Sequence, residues 1–194
     1  MNIQPVVLEG SVVRLEPLSQ AHHSALCAIG LDPELWKVGL ATIRTNEDMK
    51  SYIDAALKKQ EAGNDLPFVI IERSSGTAVG STRYMNIEKR HRKLEIGSTW
   101  VARRWQRTAV NTEAKYLLLR HAFETLGCVR VEFKTDMLNE ASRAAILRLG
   151  AKEEGILRQH LITQTGRVRD SVYYSIIDTE WGEVKKKLEE KLRR

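Results

Sequence analysis

The stretch Trp105-Gln106-Arg107-Thr108-Ala109-Val110-Asn111-Thr112-Glu113-Ala114-Lys115 follows an apolar, strand-like run from Leu94 to Val101 and opens a helix-patterned one from Lys115 to Leu126. A strand that feeds through a short polar turn into a helix gathers free backbone N–H groups and a positive dipole end at one spot. Such a turn is an anion site, suited to a phosphate or pyrophosphate. Arg104 or Arg107 would add charge to it. Upstream, Glu95 stands mid-strand between Leu94 and Ile96, on the face shared with Gly97 and Thr99. A carboxylate in that setting needs either a cationic partner, such as Arg83 on a neighbouring strand, or a proton to move. Downstream, Asn139 and Ser142 open a helix, Asn139 as its N-cap and Ser142 at N3.

The remaining reactive side chains point elsewhere. His22, His23, His91, His121 and His160 lack metal-ligand spacing with Cys or carboxylate partners, so no metal site is expected. Cys128 reads as a small core residue beside a strand, and Trp105 as a packing residue. Trp36, in the loop between the first two helices, either walls a substrate cleft or packs in the core.

These residues must be held by a sheet with helices around it. Val12 to Leu18 alternates and reads as a first strand. Ser19 caps a helix through Ala21, Ala25 and Ile29, and Asp32 to Thr45 is a loop. Asn46 or Thr45 caps a second helix reaching Gly63. Leu66 to Ile71 and Val79 to Ile87 form a hairpin around Ser74-Ser75-Gly76. The Leu94 strand and the long helix follow, then a strand from Val129 to Thr135 and the Asn139 helix, stopped by Gly150. Ile156 to Thr163 and Val168 to Ile177 make a last hairpin. Trp181, Val184 or Lys185, Leu188 and Leu192 mark a C-terminal amphipathic helix over about 179–193. The expectation is one α+β domain across 1–194, with a mixed, mostly antiparallel sheet of about seven strands flanked by helices.

Bulk properties narrow the function classes. At 194 residues the chain fits one domain with a full core. No apolar run approaches the ~20 residues of a membrane span, and no signal-peptide pattern opens the chain, so no membrane partner is expected. Two isolated cysteines, Cys27 and Cys128, suit a reducing, cytoplasmic setting. A net charge of +6 favours an anionic partner, either nucleic acid or a polyphosphate-bearing cofactor. Much of the basic excess lies at Lys89 to Lys93 and in Lys185 to Arg194. The second run alternates with glutamates and reads as a solvated helix face.

The element order, with four local motifs, resembles the GNAT N-acetyltransferases over nearly the whole chain, and among them the RimJ/RimL-type ribosomal-protein branch. Gln106-x-x-Ala109-x-Asn111 followed by Thr112-Glu113-Ala114 is similar to the Arg/Gln-x-x-Gly-x-Gly/Ala pyrophosphate loop, with Ala109 and Asn111 at the two glycine positions. Val13-Arg14-Leu15-Glu16-Pro17-Leu18 resembles the branch's Leu-Arg-x-Leu first strand. Lys93-Leu94-Glu95-Ile96-Gly97 resembles its Glu-Ile-Gly strand, and Asn139-Glu140-Ala141-Ser142 its Asn-x-x-Ser helix start.

The resemblance implies a GNAT fold and acetyl transfer from acetyl-CoA to a primary amine, a protein N-terminus or a small amine, by direct attack in a ternary complex. It implies that Gln106, Arg107, Thr108, Ala109, Val110, Asn111 and Thr112 hold the cofactor phosphates and Asn139 the pantetheine arm. The backbone at Trp100 or Val101 would polarise the thioester carbonyl. Glu95 would be the general base and Ser142 the group meeting the departing thiolate, since Ile146 stands where many relatives carry a Tyr. Trp36 would line the acceptor cleft. A monomer or homodimer is expected. Two other readings stand beside this one: a GNAT-like protein that binds CoA without turnover, and a basic RNA- or ribosome-binding module using Lys89 to Lys93. Nucleic acid is the weaker choice, because no RNA-binding motif appears and aromatics are only 6%.

Overall fold

The computed structural model describes residues 1–193, and Arg194, the end of the basic C-terminal run, lies outside them. Eight strands form one sheet: β1 (Leu8–Glu9), β2 (Val13–Pro17), β3 (Leu66–Glu72), β4 (Thr77–Glu88), β5 (Lys93–Val101), β6 (Arg130–Asp136), β7 (Lys152–Ile162) and β8 (Val168–Ile177). Their order is β1-β2-β3-β4-β5-β6-β8-β7. Five helices accompany them: α1 (His23–Gly30), α2 (Asn46–Glu61), α3 (Ala109–Arg120), α4 (Glu140–Leu149) and α5 (Asp178–Leu192). The expected seven strands become eight because β1 is only two residues long. Every neighbouring pair is antiparallel except β5 and β6, which run parallel.

Alternation along β3 explains why it reads as an unbroken apolar run. Phe68 and Ile70 enter one core, and Val69 and Ile71 the other. The larger core joins Leu15, Tyr84, Leu94, Phe133 and Tyr174 of the sheet to Leu117 and Leu118 of α3 and Leu188 of α5. The second core lies beneath α1 and α2, with Leu26, Met49 and Ile53 packed on Val69, Ile71 and Trp100. On β6, Val131 and Phe133 face the larger core. Glu132, Lys134 and Asp136 therefore lie on the opposite face, the α1/α2 side, as a polar floor. No helix among the described residues is long and apolar enough to cross a membrane.

Helix α2 begins where Thr45 and Asp48 form a capping box. Helix α3 starts at Ala109, six residues before the expected Lys115, because the Thr108 hydroxyl accepts from the Val110 N–H. It continues into a π-helical turn at His121–Thr125. Two charged residues of α3 face inward. Glu113 accepts from the N–H groups of Ser11, Val12 and Val13 and from the Ser11 hydroxyl, joining α3 to the β1–β2 turn. Lys115 is buried with no acidic partner among the described residues.

Candidate active site

Parallel pairing of β5 with β6 covers only Lys93 to Glu95 against Arg130 to Glu132. Beyond that point the two strands part, although β5 runs on to Val101 and β6 to Asp136. The parting coincides with a register shift between β4 and β5, where Ser98 takes a left-handed φ of 47°. Because the strands are parallel, their C-terminal ends lie at the same end of the sheet. The start of α3, after β5, and the start of α4, after β6, therefore flank one opening, the usual place for a ligand in a sheet of this kind.

Strand geometry selects one amide in that opening. Ala102 donates its N–H to the Val79 carbonyl on β4 at 2.9 Å. Successive residues of a strand direct their amides to opposite edges, so the Val101 N–H points away from β4, toward the gap. The Val101 carbonyl is already occupied by Gln106 Nε2 at 2.9 Å. Of the two expected residues, Val101 and not Trp100 thus presents a free donor. The Trp100 ring is buried in the second core instead, tilted against Trp36 with centroids 5.5 Å apart. Trp36 itself packs there and donates from Nε1 to the Gly30 carbonyl at 2.8 Å.

Gly80 sets the spacing at this point. A Cβ on it would lie 2.2 Å from the Trp100 carbonyl oxygen and 3.0 Å from Val101 Cα. Both are backbone atoms, so the strand pair itself would have to shift. Gly80→Ala is expected to cost about 1–3 kcal/mol in chemical unfolding and to slow acetyl transfer measured by thiol release. A variant unchanged in both would show that β4 does not set the position of Val101.

The turn before α3 exposes Gln106, Arg107, Thr108 and Ala109. Its one left-handed residue is Arg107, with φ 62°. Ala109 and Asn111, at the glycine positions of the loop pattern, are helical instead. The backbone there does not call for glycine, which removes one reason for reading their replacement as damage. The first N–H groups of a helix have no intrahelical acceptor, and the Thr108 hydroxyl takes only that of Val110. Arg103, Arg104 and Arg107 are exposed around the turn, with Arg104 stacked 4.2 Å above the Trp105 ring. Val110 anchors the helix start in the core, and the Thr112 hydroxyl accepts from Arg148 of α4 at 3.1 Å.

Glu95 is 3% exposed. Its Oε2 accepts from Asn86 Nδ2 at 2.8 Å and meets Lys134 Nζ at 3.3 Å. Oε1 lies on the side of Gly97, whose missing side chain leaves it room. The expected alternative partner, Arg83, belongs instead to Asp65, 3.5 Å away. Glu95 also lines a cleft of about 570 Å³ on the polar face, with Asp65, Asn86, Glu132 and Tyr173. Further along the floor, Asp136 is paired with Arg167 and with Arg169 at 3.8 Å. At α4, Asn139 Oδ1 accepts from the Ser142 N–H at 3.0 Å, as a helix cap does, and Ser142 is half-buried. No group of His, Cys, Asp and Glu among the described residues is placed to hold a metal ion. Asn86 and Lys134 were missed as partners of Glu95; strand alternation put Lys134 on a polar face, but nothing local named its partner.

The sequence and fold have counterparts among known proteins. A model of the acetyltransferase (GNAT) domain matches residues 13–152, and the chain belongs to that family. Over 106 residues it is 37% identical to YdaF of Bacillus subtilis (strain 168), which carries the name of a ribosomal N-acetyltransferase; the match takes in 55% of this chain and 57% of that relative. A crystal structure of an acetyltransferase from T. thermophilus superposes with a TM-score of 0.90 at 36% identity, covering 99% of this chain and 100% of the other. RimJ of Mycobacterium smegmatis in complex with CoA-disulfide superposes at 0.77 with 25% identity, over 95% and 91% of the two chains. These similarities support the RimJ/RimL-like branch.

Proposed function

We propose that the chain acts as one domain that transfers an acetyl group from acetyl-CoA to a primary amine. The observation that carries this reading is the parting of β5 and β6 with the Val101 N–H directed into it. The donor set fits such a cofactor. The free N–H groups at the start of α3, with Arg103, Arg104 and Arg107 around them, suit a pyrophosphate, and Asn139 stands across the gap for the pantetheine arm. When bound, the cofactor supplies an acetyl thioester. The Val101 N–H then polarises the thioester carbonyl as an oxyanion donor. Glu95 takes the amine proton at Oε1, directly or through one water, while Lys134 and Asn86 hold its other oxygen. Ser142 donates a hydrogen bond to the departing sulfur.

The acceptor enters over the polar floor, beneath the segment after α1 and the β7–β8 hairpin. An α-amino group, with a pKa of about 8, is easier to deprotonate than a lysine at about 10.4. The reading therefore favours a protein N-terminus or a small amine. The thiols Cys27 and Cys128, both free in the structure, suit a reducing cytoplasm.

The test is acetyl transfer followed by mass spectrometry, with peptides of different N-termini, lysine peptides with blocked N-termini, and small amines as acceptors. Transfer to α-amino groups ahead of lysine is the expected result. CoA binding with no transfer to any acceptor would replace this reading with that of a cofactor-binding protein without turnover. Absence of CoA binding would sink both.

A further inference from the structure

Lys115 is a buried charge that the chemistry above does not use. It projects from the second turn of α3 toward the sheet and is 6% exposed. It reaches no carboxylate among the described residues. From β5 it meets the Thr99 hydroxyl, and from β4 the Thr82 hydroxyl at 3.3 Å. Those two hydroxyls are themselves 2.8 Å apart. Burial alone pushes its ammonium down to about 7, with no charged group facing it from α3, β4 or β5 strongly enough to count.

An apolar side chain here would pack at no such cost. A group kept against its own stability asks what it holds. What it holds is the irregular stretch of β5. Thr99 follows the left-handed Ser98, inside the register shift, two residues before Val101. Thr82 sits on the β4 side of the same shift.

We infer that Lys115 is a positioning residue that clamps the β5 bulge from beneath, fixing the direction of the Val101 N–H and coupling it to the helix that carries the phosphate turn. The inference rests on the acetyl-transfer reading for its catalytic consequence, but the clamp itself can be measured without turnover. The sign of its stability effect follows from proton counts. Between about pH 7 and the ordinary lysine value the unfolded chain holds a proton at this site that the folded chain does not, so stability rises with pH across that window.

The test uses the full chain, wild type, Lys115→Met and Thr99→Val. Lys115→Met is expected to raise the thermal midpoint at pH 7 and to flatten its climb between pH 7 and 10. Amide hydrogen exchange at Ala102, whose N–H is bonded to Val79 of β4, should quicken at least tenfold in both variants, with exchange in α5 unchanged. Turnover should fall at least tenfold, with CoA affinity kept within about twofold. Unchanged exchange at Ala102 in both variants would overturn the clamp, whatever the activity. Quickened exchange with wild-type turnover would leave the clamp but deny it a part in catalysis, overturning the positioning role. If the wild-type protein acetylates no amine, the exchange result still decides the clamp, and only the acetyl-transfer reading fails.

Discussion

Replacing Glu95 by glutamine is expected to lower turnover at neutral pH by about 10²-fold or more, with CoA affinity nearly intact. The two side chains have the same shape, and a glutamine oxygen still accepts from Asn86 Nδ2. What disappears is the group in the opening able to take a proton at Oε1. Lys134 loses its counter-ion, but its ammonium also lies 5.5 Å from the centre of the Tyr173 ring, which supports it in place. The groups proposed to hold CoA, at the start of α3, are separate from Glu95, so calorimetric titration with CoA should not distinguish variant from wild type. Steady-state rates across pH 6 to 9 provide the check. Turnover equal to wild type throughout that range removes Glu95 from the proton path.

The largest effect on stability is expected at Glu113. The carboxylate is 4% exposed and accepts four hydrogen bonds: from the N–H groups of Ser11 at 2.9 Å, Val12 at 2.6 Å and Val13 at 2.6 Å, and from the Ser11 hydroxyl at 2.7 Å. Truncation to alanine leaves three backbone donors without an acceptor beside a buried hole. Each lost partner costs about 1–3 kcal/mol, and the losses overlap because one group serves all three. A total of about 3–5 kcal/mol is a large part of the 5–15 kcal/mol that holds a typical domain. Glu113→Gln keeps one acceptor oxygen but sets an amide N–H₂ against an N–H donor, so it should fall between. Gly10 belongs to the same fitting, since a Cβ there would sit 2.4 Å from the Glu113 carboxyl carbon. Urea unfolding provides the measurement. A Glu113→Ala midpoint equal to wild type would mean that water replaces the carboxylate at no cost.

Residue patterns carry the frame and both hairpins but not the side-chain partners. β3 and β5 read as strands because their apolar residues are contiguous, and Glu95 stood out as a single acid within one of them. Its partners did not, because Lys134 arrives through the parallel pairing of β5 with β6, which no local pattern encodes. Treating 106–111 as a turn hid the fact that Val110, Ala114, Leu117 and Leu118 already keep helical spacing from Ala109 onward. β1 was too short for any periodicity to show. Glu113 and Lys115, two charges on a helix, look like part of a solvated face. Only the burial of that face against the sheet turns one into an anchor and the other into an unpaired charge.

The segment following α1 and the tip of the β7–β8 hairpin touch. The Gln164 N–H donates to the Leu40 carbonyl at 3.2 Å, and the Thr42 N–H to Gln164 Oε1 at 2.7 Å. Two stretches 122 residues apart in the chain therefore share one small joint above the floor. The position of each depends on the other, so neither can be lengthened, shortened or exchanged with a relative's without disturbing its partner. On the acceptor route proposed above, changing which amine is taken up is accordingly a matter of replacing the two segments together.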